Sequence, residues 1–477
     1  MRDGRVVFGV VIGTRGCFNA ELAIAGRAQM LGKLEQLGYH AVILPADATP
    51  GGLVEGTIDG LKCGKLFSDH RDVIDGIIIV LPNFGDELGI VNAVNSARLN
   101  VPILLQASSD DINHVSDRER RDSFCGKISV ANNFYQYGIR FTDTSRYTCA
   151  IESDSFSADI RRFERICRVA NGLRSARIGA IGARPRDFQT MRFSEKLLQA
   201  SGITVVSCDL SEILGAAGRL DEDAAAVRAK MTEIQEYGRI IAGVPREHLL
   251  RQAKLGVAVA DWIAENQVHA AGIQCWTSIQ QNYGCAACLS MSMLGEKLIP
   301  CACETDVAGV ISMYALTLAT GNASALLDWN NNYGDADDKC VCTHCSNYPA
   351  SFTFGRNAAE KPEVSYLGVL STTLGHDNCF GAVKGKVSAG DMTFFRVSTD
   401  DRKGAVKAYL GEGAFTDDPF PMAGGIAVCA VPNLHRLLRH ILRNGFEHHV
   451  GMVREHCADV VGEAVETYLG WSLYRHE

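Results

Sequence analysis

The stretch "DVIDGIIIVLP" (residues 72–82) decides the fold class, because its centre is an unbroken run of apolar, mostly β-branched residues. A strand that is apolar on both faces is typical of a parallel sheet that helices cover on both sides. Similar runs occur in "RVVFGVVIG" (5–13) and "VPILLQAS" (101–108), and the helical pattern "AELAIAGRAQMLGKLEQLG" (20–38) follows the first of them. This alternation predicts a doubly wound α/β domain.

Two further regions follow this domain. The helical segment "DSFSADIRRFERICRVANGLRS" (154–175) is interpreted as a connector, and the apolar runs "ARIGAIGARP" (176–185) and "VHAAGIQCW" (268–276) belong to a second α/β series. Short alternating runs with Gly and Asp turns, such as "MTFFRVSTDDRKG" (392–404), predict antiparallel sheet. We therefore predict two doubly wound parallel-sheet domains followed by a β-rich, barrel-like C-terminal domain. The predicted domains are residues 1–172, 173–355 and 356–477.

Composition limits the classes of partner. The 477-residue chain has a formal net charge of −8 at pH 7, so it has no basic surplus to neutralise phosphates, and a nucleic-acid partner is not expected. No apolar run is long enough to span a membrane. The short apolar run at the N-terminus is interpreted as a buried strand and not as a signal peptide. We expect a cytoplasmic protein without a membrane partner.

The sequence contains 17 cysteines, a high and odd number for a cytoplasmic protein. Without an export signal, a disulfide framework is not expected. Cys342 and Cys345 have C-x-x-C spacing, and Cys285 and Cys288 repeat it much earlier in the chain. That separation is longer than in compact zinc modules, so buried, inert thiols are favoured over a structural zinc site.

Two acidic residues interrupt apolar runs in the second region. Glu304 lies in "CETDVAGV" (303–310) and Asp328 in "SALLDWNN" (324–331). A single acid at a strand–helix junction is most often a helix cap or a first-turn acid that interacts favourably with the helix dipole. In open α/β sheets, however, ligands bind outside the carboxyl ends of the strands, and two acids placed there require a cation or a shared proton.

The segment "EHHVG" (447–451) adds imidazole groups near the C-terminus. His448 and His449 are adjacent, so on a strand they would face opposite sides and only one of them would ligate a given metal. Two carboxylates with one imidazole suit a hard or borderline divalent ion such as Mn²⁺, Mg²⁺ or Co²⁺. A loop with two exposed histidines is the alternative.

Loop arginines and one strand end are further candidates. Arg15, in "GTRGCF", could bind a sugar hydroxyl or an anion, although its loop has neither a dinucleotide-binding nor a Walker A pattern. Arg184 and Arg186 occupy the corresponding loop of the second domain. Trp276 beside Gln274 suits a sugar ring, which would stack on the indole while the amide bonds its hydroxyls; a core tryptophan is equally compatible.

Taken in order, these motifs resemble the L-fucose isomerase / L-arabinose isomerase family. "QCWTSIQQNYG" (274–284) resembles the family's Gln/Trp strand end, and "CETDVAGVISM" (303–313) resembles its glutamate metal-ligand segment. "LLDWNNNY" (326–333) resembles its aspartate metal-ligand segment, and "EHHVG" its C-terminal metal-histidine loop. The predicted architecture also fits that family.

The resemblance implies roles for individual residues. Glu304 and Asp328 would ligate the metal and act as acid and base, and His449 would be the third ligand. His344 would be either a fourth ligand or a substrate contact. The other contacts to sugar hydroxyls would come from Arg15, Gln274, Trp276 and His448. The family assembles as hexamers or related oligomers with the active site between subunits, to which the first domain of a neighbour lends the arginine.

The implied function is a divalent-metal-dependent aldose–ketose isomerase, with Mn²⁺ favoured, that acts on an open-chain sugar through a cis-enediol. The sugar would be of the L-fucose or arabinose type or, as in some shorter relatives, sulfoquinovose, whose sulfonate Arg15, Arg184 and Arg186 could bind by bidentate hydrogen bonds. Two other classes stay open. One is a non-catalytic sugar-binding or regulatory protein with two α/β lobes, and the other is an iron–sulfur or zinc enzyme built on the cysteines.

Overall fold

The computed structural model describes residues 6–113, 115–353, 361–421 and 425–477, which form two compact units. The first unit comprises the residues up to Asn171 together with Glu463–Gly470, and the second comprises Gly172–Gly462 together with Trp471–Glu477. The predicted boundary between residues 355 and 356 lies outside the described residues, and the three-domain division stays a prediction. No helix in the described ranges has the length and apolar character needed to cross a membrane.

The first unit alternates strands and helices. Its elements are β1 (Val7–Ile12), α1 (Ala20–Leu37), β2 (His40–Ile43), α2 (Gly56–Asp69), β3 (Gly76–Leu81), α3 (Glu87–Ala97), β4 (Ile103–Ala107), α4 (Ser123–Tyr137), β5 (Thr142–Asp143) and α5 (Asp154–Arg174). The described strands form one parallel sheet in the order β2-β1-β3-β4-β5. Along β3, Ile77 and Ile79 pack into one hydrophobic core and Ile78 and Val80 into another. Both faces of the sheet are therefore covered, which confirms the doubly wound prediction.

The second unit begins with another parallel sheet. Its elements are β6 (Arg177–Ile181), α6 (Glu195–Ala200), β7 (Thr204–Cys208), α7 (Leu210–Arg219), α8 (Ala225–Tyr237), β8 (Arg239–Ile240), α9 (Arg246–Glu265), β9 (Ala270–Ile273), α10 (Ser278–Asn282), α11 (Cys288–Glu296), β10 (Cys301–Ala302) and α12 (Val307–Thr320). The parallel strands are ordered β10-β9-β6-β7. The prediction of a second parallel sheet is confirmed.

A larger mixed sheet completes the second unit. The remaining elements are β11 (Ser324–Asn332), β12 (Lys339–His344), α13 (Ala350–Thr353), β13 (Glu363–Tyr366), α14 (Gly368–Leu374), β14 (Phe380–Lys386), β15 (Gly390–Asp400), β16 (Ala405–Thr416), β17 (Gly425–Ala430), α15 (Leu434–Arg443), β18 (His449–Val453), α16 (Ala458–Glu463) and β19 (Ser472–Arg475). The strands are ordered β19-β16-β15-β18-β11-β12-β17-β14-β13-β8, and β16 also pairs with β17. That extra pairing closes β15, β18, β11, β12, β17 and β16 into a barrel, as predicted.

Helix α12 lies between the parallel sheet and the barrel. It contacts β6, β9 and β10 on one side and β11, β15 and β18 on the other. Most of its residues are buried, which explains why its sequence is apolar all round. Gly451 in β18 permits this close packing, because a Cβ there would lie 3.1 Å from the backbone nitrogen of Met313 in the helix. The helix therefore fixes the parallel sheet against the barrel, and the candidate site lies beside its N-terminus.

Candidate active site

Glu304 lies in a tight turn between β10 and α12. Cys303–Thr305 form one 3₁₀ turn in which Glu304 has φ 55° and ψ 21° and Thr305 also has a positive φ of 54°. Left-handed conformations at two successive residues with side chains are costly and persist only where the surroundings enforce them. The turn passes over Gly272 of β9, where a Cβ would lie 3.0 Å from the backbone of Thr305. The packing thus directs the Glu304 carboxylate into the interior.

The two carboxylate oxygens of Glu304 have different surroundings. Oε1 accepts a hydrogen bond from the indole N–H of Trp276 at 2.9 Å and contacts the thiol of Cys275 at 3.5 Å. Oε2 is buried and has no hydrogen-bond partner among the described residues. A buried carboxylate oxygen without a partner is unfavourable unless a proton or a cation stands beside it.

Three neighbouring barrel strands bring the other candidates together. Asp328 of β11 is paired directly with His449 of β18, and on its other side with Thr343 of β12, which precedes His344. Asp328 Oδ1 lies 3.4 Å from His449 Nε2 and 3.2 Å from His344 Nδ1. Cross-strand neighbours on one face of a sheet lie close together, so the register of β11 and β18 sets the distance between Asp328 and His449.

Glu304 lies close to the same two histidines. Glu304 Oε2 lies 3.6 Å from His344 Nε2 and 3.6 Å from His449 Nε2. His344 Nε2 is also buried and without a hydrogen-bond partner in the described structure. Ligand atoms of Glu304, His344 and His449 lie within 4.8 Å of one another, as do those of Asp328, His448 and His449, so two carboxylate–imidazole groups share His449. Each group is a donor set of the kind that divalent cations bind. The residues present fit a divalent metal ion.

A second layer of buried charges holds His449. Its Nδ1 donates to Asp306 Oδ2 at 2.8 Å, and Arg396 holds the same carboxylate through Nη1 at 2.5 Å and Nη2 at 3.1 Å. Arg396 Nε also donates to Glu447 Oε2 at 3.2 Å, and Ser398 donates to Glu447 Oε1 at 2.9 Å. An imidazole that donates from one nitrogen to a carboxylate has its other nitrogen free to ligate. Here that nitrogen is Nε2, which faces Glu304 and Asp328.

The electrostatic environment shifts the pKa values of these carboxyl groups in opposite directions. Burial raises the pKa of Glu304 above its ordinary value. Burial also acts to raise the pKa of Asp306, but the Arg396 guanidinium and the bond from His449 outweigh it and hold this pKa far below its usual range. For Asp328, the opposing effect of His344 outweighs burial and lowers the pKa. Burial, reinforced by its neighbour His449, lowers the pKa of His448 to about 4.

Aromatic rings line one side of the group. The ring of Phe188 lies 5.3 Å from that of His448, 5.9 Å from that of Trp276 and 6.1 Å from that of His449, between centroids. His448 Nε2 is 4.0 Å from Asp328 Oδ1, while the side chain of His448 is 39% exposed. Trp276 is thus not only a core residue, since its N–H orients Glu304 and its ring joins this aromatic group.

Arg15 and Gln274 make other contacts. Arg15, in the first unit, pairs with Glu87, donates to the Gly85 carbonyl at 2.8 Å and lies 4.5 Å from the centroid of the Phe84 ring. Gln274 accepts a hydrogen bond from the backbone of Ala183 at 2.9 Å.

The two arginines of the second loop bond within that loop. Arg184 donates to the carbonyls of Pro185 and Arg186, and Arg186, with a side chain that is 91% exposed, pairs with Asp187. The structure thus does not bring either of them to the carboxylate–imidazole groups.

Three details of the sequence reasoning were wrong. Asp328 was expected at the carboxyl end of a parallel strand, but it lies within β11, a strand of the barrel with antiparallel neighbours. Neither Glu304 nor Asp328 caps a helix; Asp306 caps α12 by accepting from the backbone of Gly309 at 2.9 Å. His448 and His449 were expected to face opposite sides, yet both rings reach Asp328, because β18 begins only at His449.

Sequence reasoning noticed Asp306 beside Glu304 without assigning it a role, and it missed Arg396, Glu447 and Phe188. Asp306 and Glu447 stand within the quoted motifs, two residues from Glu304 and His449 respectively. The available signal for Arg396 was a charged residue inside the apolar run "MTFFRVS". An arginine in a buried strand requires an acidic partner, and the quoted motifs already contained two acids, Asp306 and Glu447, to which no partner had been assigned.

Comparison with known proteins agrees with this site. Residues 9–174 match the family model described as fucose/sulfoquinovose isomerase, N-terminal domain, and residues 342–476 match the one described as L-fucose isomerase, C-terminal domain. His344 and His449 lie inside the second match, whereas Glu304 and Asp328 lie between the two.

Curated relatives cover much of the chain. A sulfoquinovose isomerase of Alkalicoccus urumqiensis is 26% identical over 402 residues, which are 82% of this chain and 83% of the relative. A sulfoquinovose isomerase of Clostridium sp. (strain MSTE9) is 26% identical over 340 residues, 70% of this chain and 72% of the relative. The chain therefore belongs to the fucose/sulfoquinovose isomerase family, whose members are aldose–ketose isomerases.

Proposed function

We propose that this protein is a metal-dependent isomerase that converts an open-chain aldose into the 2-ketose through a cis-enediol. The observation that carries the proposal is that Glu304 Oε2 and Asp328 Oδ1 both lie close to His449 Nε2, at 3.6 and 3.4 Å. In this proposal these three residues ligate a divalent ion, with Mn²⁺ favoured over Mg²⁺ and Co²⁺. His344 is a fourth ligand, since its buried Nε2 lies 3.6 Å from Glu304 Oε2 and is without a hydrogen bond in the described structure.

The chain's own groups move the protons. One of the carboxylates of Glu304 and Asp328 removes the proton from C2 of the sugar and returns it to C1, while the other transfers a proton between the oxygens on C2 and C1. The bound metal supplies Lewis acidity, which polarises the carbonyl and acidifies the neighbouring C–H group. Trp276 and Phe188 give the sugar an apolar face to pack on and shield the reaction from water.

The substrate we propose to test first is sulfoquinovose, because the curated relatives at 25–26% identity carry that name. L-Fucose and arabinose-type sugars are the second choice. Sulfoquinovose and D-glucose form a matched pair, since they differ by a sulfonate in place of a hydroxyl at C6. Turnover of the first and not of the second would locate the selectivity at the sulfonate.

The test is proton exchange followed by NMR in D₂O. Protein treated with EDTA receives Mn²⁺ and then sulfoquinovose, D-glucose, L-fucose, L-arabinose or D-galactose in turn. The expected result is a ketose that carries deuterium next to the carbonyl, formed only after Mn²⁺ is restored. Ketose formed at the same rate in EDTA would reject the metal dependence. If the ketose kept all of the hydrogen from C2 of the substrate, the proton would not have exchanged with solvent on the carboxylate. That result would reject proton transfer through the proposed carboxylate base.

We also propose that the protein assembles as a homo-oligomer, with a hexamer as the expected form. The resemblance to the family supports this, together with the implied contribution of Arg15 from a neighbouring subunit. Light scattering coupled to size exclusion measures the assembly directly. A monomer that is fully active at assay concentration would contradict a site that is shared between subunits.

A further inference from the structure

Four buried cysteines converge beside Glu304. Cys303 Sγ lies 2.9 Å from Cys345 Sγ, and the sulfur of Cys275 lies within 4.8 Å of both. Cys288 interacts electrostatically with Cys303 and Cys345. None of the four is in a disulfide, and Cys275, Cys288 and Cys303 are almost completely buried. The two C-x-x-C motifs are split by the fold, because each sends one cysteine into this cluster.

The other cysteine of each motif lies elsewhere. Cys342 packs in the barrel core, where its sulfur is 3.8 Å from that of Cys340 and where Cys429 is a near neighbour. Cys285 is fully buried but interacts with Arg251 and Cys379. These thiols fill apolar space as small hydrophobic side chains do. The four-cysteine cluster differs, because a carboxylate oxygen of Glu304 lies against the thiol of Cys275 at 3.5 Å.

Three of the cysteines and Glu304 form a group that could hold a single ion. One ligand atom from each of Cys275, Cys303, Cys345 and Glu304 lies within 4.8 Å of every other. Thiolates stand about 2.3 Å from a zinc ion, so two of them around one ion are at most about 4.6 Å apart.

The cluster joins four segments of the second unit. Cys275 follows β9, Cys288 opens α11, Cys303 lies in the turn before α12 and Cys345 follows β12. Three of these cysteines are next in sequence to residues of the candidate active site: Trp276, Glu304 and His344. An ion bound here would fix the backbone from which these residues extend.

We propose that Cys275, Cys303 and Cys345, with Cys288 beside them as a fourth thiolate, bind one thiophilic divalent cation, with Zn²⁺ as the probe, at a site next to the carboxylate–imidazole groups. Thiolates select soft and borderline metals, while carboxylates prefer hard ones, so the two adjacent sites take different ions. The thiols that bind release their protons to solvent as the ion enters, and no oxidant or reductant takes part. The site does not depend on the proposed isomerase reaction, because its occupancy is measured without a sugar.

The test follows thiolate coordination directly. Reduced protein freed of metal by a chelator is titrated with Cd²⁺ and, separately, with Mn²⁺, and the thiolate-to-metal charge-transfer absorption is recorded. Elemental analysis then gives the Zn²⁺ content after Zn²⁺ is added and excess is removed. We expect the band to saturate at one equivalent of Cd²⁺, no band with Mn²⁺, and one retained Zn²⁺ per chain.

Cys288→Ser is the informative variant, because Cys288 is not next in sequence to any of the active-site residues. Its matched control is Cys285→Ser, which changes an equally buried cysteine of the same motif. The band should be lost in the first variant and kept in the second. Equal bands in both variants would overturn the proposal, as would a wild-type protein without a thiolate band. If Cys288→Ser does not fold, the titration of the wild-type protein alone tests whether the cysteines bind a cation.

Discussion

Asp306→Asn would test whether the buried charge network orients His449. The wild-type carboxylate accepts hydrogen bonds from Arg396 at 2.5 and 3.1 Å and from His449 Nδ1 at 2.8 Å. It also caps α12 through the backbone of Gly309 at 2.9 Å. Asparagine keeps the size of the side chain and one acceptor oxygen, but it removes the charge and places an amide N–H₂ among three donors.

The expected effect has two parts. Removing one partner of a buried ion pair costs about 3–5 kcal/mol, because the remaining charge stays in the interior. Arg396 is fully buried but keeps its bond to Glu447 at 3.2 Å, so we expect the free energy of unfolding to fall by about 3 kcal/mol, at the lower end of that range. Loss of the carboxylate that orients a ligating histidine typically lowers metal affinity 10–100-fold, which is about 1.4–2.7 kcal/mol.

Both parts can be measured on the intact protein. The four tryptophans, Trp262, Trp276, Trp329 and Trp471, all lie in the second unit, so their fluorescence during urea unfolding reports on that unit. Electron paramagnetic resonance of free Mn²⁺ gives the affinity.

Asp418→Asn is the control, because Asp418 pairs with Lys339 on the surface of the same unit at 2.8 Å and should change neither quantity. Unchanged Mn²⁺ affinity in a destabilised Asp306→Asn would refute the orienting role. Unchanged stability would refute the dependence of Arg396 on this carboxylate.

Three further predictions concern the proposed chemistry. Glu304→Gln and Asp328→Asn should fold normally, by circular dichroism, and lose at least about 10²-fold in kcat, since each removes one proton-transfer group; full activity in either would remove it from the acid–base pair. His449→Ala should weaken Mn²⁺ binding in calorimetry more than His448→Ala, because only His449 is held by a buried carboxylate and lies close to Glu304, and equal, negligible effects would place this loop outside the site. Arg15→Gln and Glu304→Gln, each inactive alone, should regain activity when their subunits are mixed and reassembled, whereas no recovery would contradict a site built from two subunits.

The fold could be predicted from the sequence wherever a local pattern is compatible with only one type of structure. Apolar strands such as "GIIIVL" require two covered faces, and the alternating C-terminal runs require a sheet with one buried face. The closure of the barrel was only partly accessible, because it depends on β16 pairing with β17 at Phe415 and Cys429, a contact that local periodicity does not encode.

The residue types of the site could be predicted from the sequence, but their geometry could not. Glu304, Asp328 and His449 could be selected because acids at the ends of apolar runs and a histidine pair are unusual. That Asp328 and His449 are cross-strand neighbours follows from the barrel register, and no local pattern determines register over such a distance in sequence. Arg396 was missed for the same reason, since its partner Asp306 lies 90 positions away in the chain.

Charge balance explains why these residues lie together at the N-terminus of α12. Glu304, Asp328, Asp306 and Glu447 are four acids, and Arg396 is the guanidinium that neutralises part of their charge. His449 donates its Nδ1 proton to Asp306, so its Nε2 faces two carboxylate oxygens at 3.4 and 3.6 Å. Carboxylates that lie close together in a buried space repel one another, and a divalent cation bound among them would offset that repulsion. The same backbone that stabilises the folded protein through Arg396 thus holds a negatively charged donor set in place before any metal or sugar arrives, which is the arrangement that a proton-transferring isomerase requires.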